Sequence, residues 1–234
     1  MNEFSLVFAI ALLTAGLTYL GAPLAERFDV PDRVISAALQ FAAGIITALV
    51  GLSLMPPAVR YGIPSGVALA FFLGGALFVA FEYVSGQQLA AKAVGDAEVT
   101  SLGLYVGVLV DMLIDGMVIG IGSTLTLATG ILLALGIATS TLPLAFVATA
   151  TAKRQGIPSA QRRLLSWLFV LCIVVGALLG YGLLREQSLA LRLTLIAFAS
   201  GFLITTVTQS LIPEANKEGE PSFAGILFVG GISL

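Results

Sequence analysis

Asp111 and Asp115 stand four residues apart in the segment SLGLYVGVLVDMLIDGMVIGIG, residues 101–122, which is apolar on both sides of them. On a helix that spacing places both carboxyls on one face, one turn apart, where like charges repel. If the segment crosses a bilayer, Asp111 falls at its midpoint, and each aspartate costs roughly 2.5–3.5 kcal/mol to insert there. All 11 Lys and Arg residues lie at or near the ends of apolar runs, so no neighbouring helix offers a basic partner at that depth. A bound cation, a proton on at least one carboxyl, or a water-filled path would relieve the cost. The structural alternative is a pair of protonated carboxyls hydrogen-bonded between helices.

The rest of the chain is what a membrane would demand. Of 234 residues, 58% are hydrophobic and 10% charged, against about 25% charged in a soluble domain. With a mean hydropathy of +1.05, the composition implies a polytopic helical membrane protein. A formal charge of −2 provides no basic field for nucleic acid. Histidine is absent, and the one cysteine, Cys172, sits in an apolar run, so the chain has no internal disulfide and a poor ligand set for soft metals. The first apolar stretch follows Met1-Asn2-Glu3, without the basic flank of a signal peptide, and is read as a retained span.

A span needs roughly 20 apolar residues. Seven stretches qualify, at about 4–25, 34–56, 63–84, 101–122, 128–150, 164–184 and 189–212, and an eighth, Ser222 to Leu234, is short. The expected fold is therefore an all-α integral membrane protein of eight transmembrane helices forming one domain over 1–234. Loops after spans 1, 3, 5 and 7 carry Arg27, Arg33, Lys92, Lys153, Arg154, Arg162, Arg163 and Lys217; those after spans 2, 4 and 6 carry Arg60, Arg185 and Arg192. Basic residues accumulate on the cytoplasmic side, so the odd-numbered loops, including Lys92 to Glu98 and Lys153 to Arg163, are expected inside and both termini outside.

An internal repeat organises these spans. Residues 41–58 align without gaps on 198–215, pairing Phe41 with Phe198, Gly44 with Gly201, Ser53 with Ser210, Leu54 with Leu211, Pro56 with Pro213 and Ala58 with Ala215. Spans 2 and 7 should run in opposite directions, which makes the repeat inverted, as in transporters with a central site and alternating access. Spans 1–3 are expected to superpose on spans 6–8 around central spans 4 and 5, a 3+2+3 arrangement.

Further polar groups face this centre by position. Span 5 has Thr139, Ser140 and Thr141 ahead of Pro143, which frees a carbonyl one turn earlier. Hydroxyls and carbonyls complement carboxylates around a hard cation, and interhelical hydrogen bonding is an equal role for them. In span 7, Thr205 and Thr206 share a face with Gln209 by helical spacing. Glu214 either lines the cytoplasmic mouth or sits in the interface, and Glu82 is expected to be a solvated interface residue. Gly103, Gly107, Gly116 and Gly120 suit close helix packing.

With these residues in view, the chain resembles the ZIP family of divalent-metal transporters. The features that carry the likeness are eight spans with outer termini, the charged loop after span 3, the inverted repeat and Leu211-Ile212-Pro213-Glu214-Ala215. Members of that family carry His-Asn-x-Pro-Glu-Gly on span 4, where this sequence has Asp111-Met112-Leu113-Ile114-Asp115-Gly116. The resemblance implies that Asp111 and Asp115 take the outer ligand positions and Met112 that of the Asn. On span 5 it puts Ser140 at the His position and Thr141 at the Asn or Asp position. On span 2 it leaves Met55 as a soft ligand beside the path. The usual two-metal site is not intact.

The resulting expectation is an inward-directed transporter of a divalent cation, homodimeric by the resemblance, in the plasma (inner) membrane. Zn²⁺, Mn²⁺, Fe²⁺ and Mg²⁺ are candidates, oxygen ligands favouring the harder ions. No bound cofactor is expected. A ZIP-fold transporter for protons or a non-metal solute, or a non-transporting metal sensor, is the alternative. An intramembrane aspartyl protease would need its two Asp on different helices, so no enzyme is expected.

Overall fold

The computed structural model describes the backbone of residues 3–28, 31–92, 98–217 and 223–233. Residues 93–97, in the loop expected inside after span 3, lie outside the described residues, as do Ser222 and Leu234. Among the described residues the chain is helical with no strand. This is the solution for backbone in hydrocarbon, where each amide and carbonyl must be satisfied within its own segment.

The helices are α1 (Glu3–Arg27), α2 (Asp32–Ala48), α3 (Met55–Tyr61), α4 (Pro64–Lys92), α5 (Glu98–Leu125), α6 (Leu127–Arg154), α7 (Ser159–Leu184), α8 (Leu189–Thr206), α9 (Ile212–Lys217) and α10 (Ala224–Ile232). Seven stretches among the described residues are long and apolar enough to cross a membrane. They match the seven long spans read from sequence. Large apolar side chains such as Leu13, Phe72, Leu164 and Leu171 are exposed on their outer faces, which suits contact with lipid. The turn after α6 follows its sequence: Gly156 takes a φ of 77°, and the amide of Ile157 returns to the carbonyl of Ala152.

Spans 2 and 7 are longer than their sequences suggested. Helix was expected to stop near residues 56 and 212, at Pro56 and Pro213, yet it continues to Tyr61 and Lys217. A proline lacks an amide hydrogen and its ring crowds the carbonyl four residues back. The chain accommodates this by widening: π-helical segments at Leu49–Leu54 and Val207–Leu211 join α2 to α3 and α8 to α9. The amide of Met55 bonds to the carbonyl of Val50, and that of Ile212 to Val207, five residues back in each case. These two bonds lie 157 residues apart, the offset of the repeat.

The packing carries the same offset further along the chain. Phe71-Phe72-Leu73-Gly74 in α4 corresponds to Phe228-Val229-Gly230-Gly231 in α10. A Cβ at Gly44 of α2 would strike the carbonyl of Phe228, and one at Gly231 would strike that of Phe41. Likewise a Cβ at Gly74 would strike Phe198, and one at Gly201 would strike Phe71. Two helix pairs, α2 with α10 and α4 with α8, are thus closed by the same reciprocal Phe-x-x-Gly contact. In a bilayer, where lipid is as apolar as leucine, such backbone approach is what holds helices together.

Spans 2 and 7 cross in opposite senses. The first part of span 2, α2, packs on the last part of span 7, α9, while α3 packs on α8. Gln40 Nε2 donates to Asn216 Oδ1 at 3.1 Å across that contact. Helices α5 and α6 also have matching partners, α1 against α6 and α7 against α5. In α5 and α7 the glycines interlock: Gly116 and Gly120 meet the carbonyls of Ile173 and Ala177, and Gly176 and Gly180 meet those of Leu113 and Met117. The expected close packing at Gly116 and Gly120 is present. A Cβ at Gly107 would meet nothing within 4 Å among the described residues.

Candidate functional site

The glycine contact with α7 fixes which way α5 faces. Gly120 lies nine residues, two and a half turns, beyond Asp111, so it is on the opposite side of the helix. With α7 held there, the aspartate face turns toward the bundle interior. Asp111 and Asp115 are 6% and 2% exposed, so both carboxyls are out of reach of lipid and bulk water alike. One and two turns on, Val118, Ile119 and Ile121 join the main apolar core with Leu39, Leu133, Leu203 and Val207, residues of α2, α6, α8 and its π segment. The helix that carries the aspartates thus contributes its next turns to that core.

The polar surroundings are sparse. Thr206, at the end of α8 and 4% exposed, brings its hydroxyl within hydrogen-bonding reach of the Asp111 carboxyl. The same hydroxyl can donate to the carbonyl of Phe202 at 3.1 Å. The Oδ1 of Asp111 is buried with no hydrogen-bond partner. The charged neighbour of Asp115 is Asp111, and no basic group of the described residues acts on either carboxyl. An unpartnered buried carboxylate oxygen is costly, and a cation or a proton is what would relieve it.

The other residues singled out in the sequence divide around this pair. Ser140 is buried on α6, on the face of Gly136, which meets Leu49 of the first π segment; its hydroxyl donates to the carbonyl of Ile137 at 2.9 Å. Thr141 is buried too, but its Oγ1 is 2.6 Å from that of Thr18, a clasp between α6 and α1. Met112, fully buried, belongs to a second cluster with Ala145, Ala148, Phe169 and Ile173, so its sulfur sits between α5, α6 and α7. Met55 is half-buried against the main core, Glu214 is half-buried, and Gln209 and Glu82 are exposed. Thr139 donates back to Leu135 at 2.8 Å.

Thr206 and Gln209 therefore part company. On a uniform α-helix their spacing gives one face, but the π segment begins between them and turns less per residue, which carries Gln209 outward. Two buried polar groups on α2, Ser36 and Gln40, were not singled out in the sequence, although their four-residue spacing was legible. The hydroxyl of Ser36 is also without a partner. No cluster of three or more His, Cys, Asp or Glu that could hold a metal occurs among the described residues. The geometry offers two carboxylates and the Thr206 hydroxyl.

No family model matches the chain, and no curated protein matches its sequence.

Proposed function

We propose that this protein is a ZIP-like transporter that moves a divalent cation into the cytoplasm through a site centred on Asp111 and Asp115. The observation that carries the reading is the buried, partnerless Asp111 Oδ1 beside a second carboxyl, with no basic group of the described residues acting on either. All donors around it are oxygens, since Met112 packs elsewhere, and an all-oxygen set favours Mn²⁺, Mg²⁺ or Fe²⁺ over Zn²⁺. Support for alternating access comes from the paired π segments. Such segments concentrate at functional sites, and these two interrupt opposing helices at equivalent places, one directly after Thr206.

In this reading α10 begins the eighth span and the order is 3+2+3, with both termini outside and two copies in the plasma membrane forming a dimer. The orientation has its own test. A cysteine at Ser159, in a Cys172→Ala background, should resist impermeant reagents in intact cells and react after permeabilisation. Labelling from outside would reverse the assignment.

A second reading, the carriage of protons or a non-metal solute, is favoured by the lack of a three-ligand cluster among the described residues. Purified protein in liposomes, tested for uptake of Mn²⁺, Fe²⁺, Zn²⁺ and Mg²⁺ beside a fluorescent proton reporter, separates the two. Metal uptake supports the first; proton movement without any metal uptake supports the second and overturns the first.

A further inference from the structure

At the end of the bundle where α1 and α6 finish and α7 begins lies a cleft of about 290 Å³, and nothing in the transport reading uses it. Tyr19 and Thr149 line its deeper part, and Arg27, Arg162, Arg163 and Glu26 its rim. Its shape follows from α1. Gly21 presses α1 against Leu142 and Phe146 of α6, and Pro23, two residues on, lines the widening gap.

The rim is not self-neutralised. Arg162 grips Glu26 with both arms of its guanidinium, Nε to Oε1 at 2.6 Å and Nη2 to Oε2 at 2.8 Å, and also donates to the carbonyl of Ile157. Lys153 Nζ donates to the backbone carbonyl of Glu26 at 3.3 Å. One carboxylate thus faces three arginines, which leaves a local charge of +2 carried by the exposed Arg27 and Arg163. The first turn of α7 opens at the same place, behind Pro158, which supplies no side-chain cap. The positive end of its helix dipole adds to the cleft.

The membrane side of the cleft is of opposite character. Tyr19 packs on Trp167 with ring centroids 5.1 Å apart, and Trp167 is 56% exposed, as aromatic residues are at the headgroup level. Leu20 and Leu24 of α1 and Leu164 and Leu171 of α7 continue outward from it as an exposed apolar strip. A positive pocket at the level of an aromatic pair, opening onto an apolar strip, matches a molecule with a phosphate at one end and hydrocarbon at the other.

We propose that this cleft binds the phosphate of an anionic glycerophospholipid, with Arg27 and Arg163 on the phosphate and the acyl chains along the α1–α7 strip. A soluble phosphate would satisfy the rim and leave the strip unused. Basic pockets between helices on the cytoplasmic side bind such headgroups in the same way.

Trp167, the only tryptophan of the chain, reports on the site directly. The full chain is reconstituted with phosphatidylglycerol or phosphatidylcholine carrying brominated acyl chains, each of which quenches tryptophan on contact. Phosphatidylglycerol should quench Trp167 preferentially. An arginine near an anionic surface contributes a factor of about five to partitioning, so Arg27→Gln/Arg163→Gln should lower the preference at least about tenfold. The charge-preserving Arg27→Lys/Arg163→Lys pair should retain it, and so should Arg33→Gln, which removes one charge outside the cleft. Equal quenching by both lipids, or a preference that survives the double Gln change, would overturn the site. A Trp167 response to glycerol phosphate in solution, without any lipid preference, would overturn the lipid assignment in favour of a free phosphate.

Discussion

In the proposed transporter, Asp111→Asn and Asp115→Asn should each abolish transport of the cation while leaving the protein folded. A unit charge pair at 4 Å in an effective dielectric of 20 is worth about 4 kcal/mol, so removing one carboxylate from a bound dication costs at least about a thousandfold in affinity. The same change helps the empty protein, because it keeps the volume while removing a buried ionisable group that has no basic partner among the described residues. Unfolding temperature without metal should therefore hold or rise. Binding of a dication requires both carboxyls to give up any proton they hold, so affinity should weaken as pH falls. The measurement is the metal-dependent thermal shift of wild type, each single variant and the double variant from about pH 5.5 to about pH 8, alongside flux in liposomes. A metal response in the double variant equal to wild type would eliminate the carboxylate site. Thr206→Val should act in the same direction and less strongly, since it removes one neutral hydroxyl from beside Asp111.

The second large effect is on stability. Gly74→Ala and Gly201→Ala should each lower the unfolding temperature, because the new methyl group meets a backbone carbonyl, of Phe198 or of Phe71, that cannot rotate away. Overpacking of this kind costs typically about 1–3 kcal/mol. The two helices share one contact, so the double variant should lose less than the sum of the singles: once the pair has separated, the second methyl group has room. Gly44→Ala, the repeat-related position, should reproduce the loss at the α2–α10 contact. Gly16→Ala and Gly182→Ala are the controls, since a Cβ at either position meets nothing within 4 Å, and both should be neutral or slightly stabilising. Equal behaviour of contact and control glycines in a detergent melting series would remove the reciprocal Phe-x-x-Gly contact as the element that holds these helices together.

Much of this was legible in the residues alone, because hydrocarbon is a simple solvent. A run of about 20 apolar residues has few fates but to span as helix, so the seven long spans could be read directly. The aspartate pair on one face of α5 followed from spacing, and the repeat from its gapless match. Packing extends that match to α4 and α10, where Phe71 and Gly74 recur as Phe228 and Gly231; read alone, two residues among many Ala and Gly fall below notice.

Three features needed the tertiary structure. Which side of α5 is buried depends on α7: the glycines of the two helices interlock, and only that contact turns the aspartates inward. The separation of Thr206 from Gln209 depends on the π segment Val207–Leu211, where the helix widens ahead of Pro213, a choice the chain makes between breaking its helix and loosening it. Thr141, by type and position a ligand candidate beside Ser140, is drawn to Thr18 because α1 lies against that face of α6. Solvent and helical periodicity act within a segment and can be read along it. The direction in which a face points is set by a neighbour far away in the chain, and in lipid, where nearly every face is apolar, hydrophobicity does not distinguish one neighbour from another.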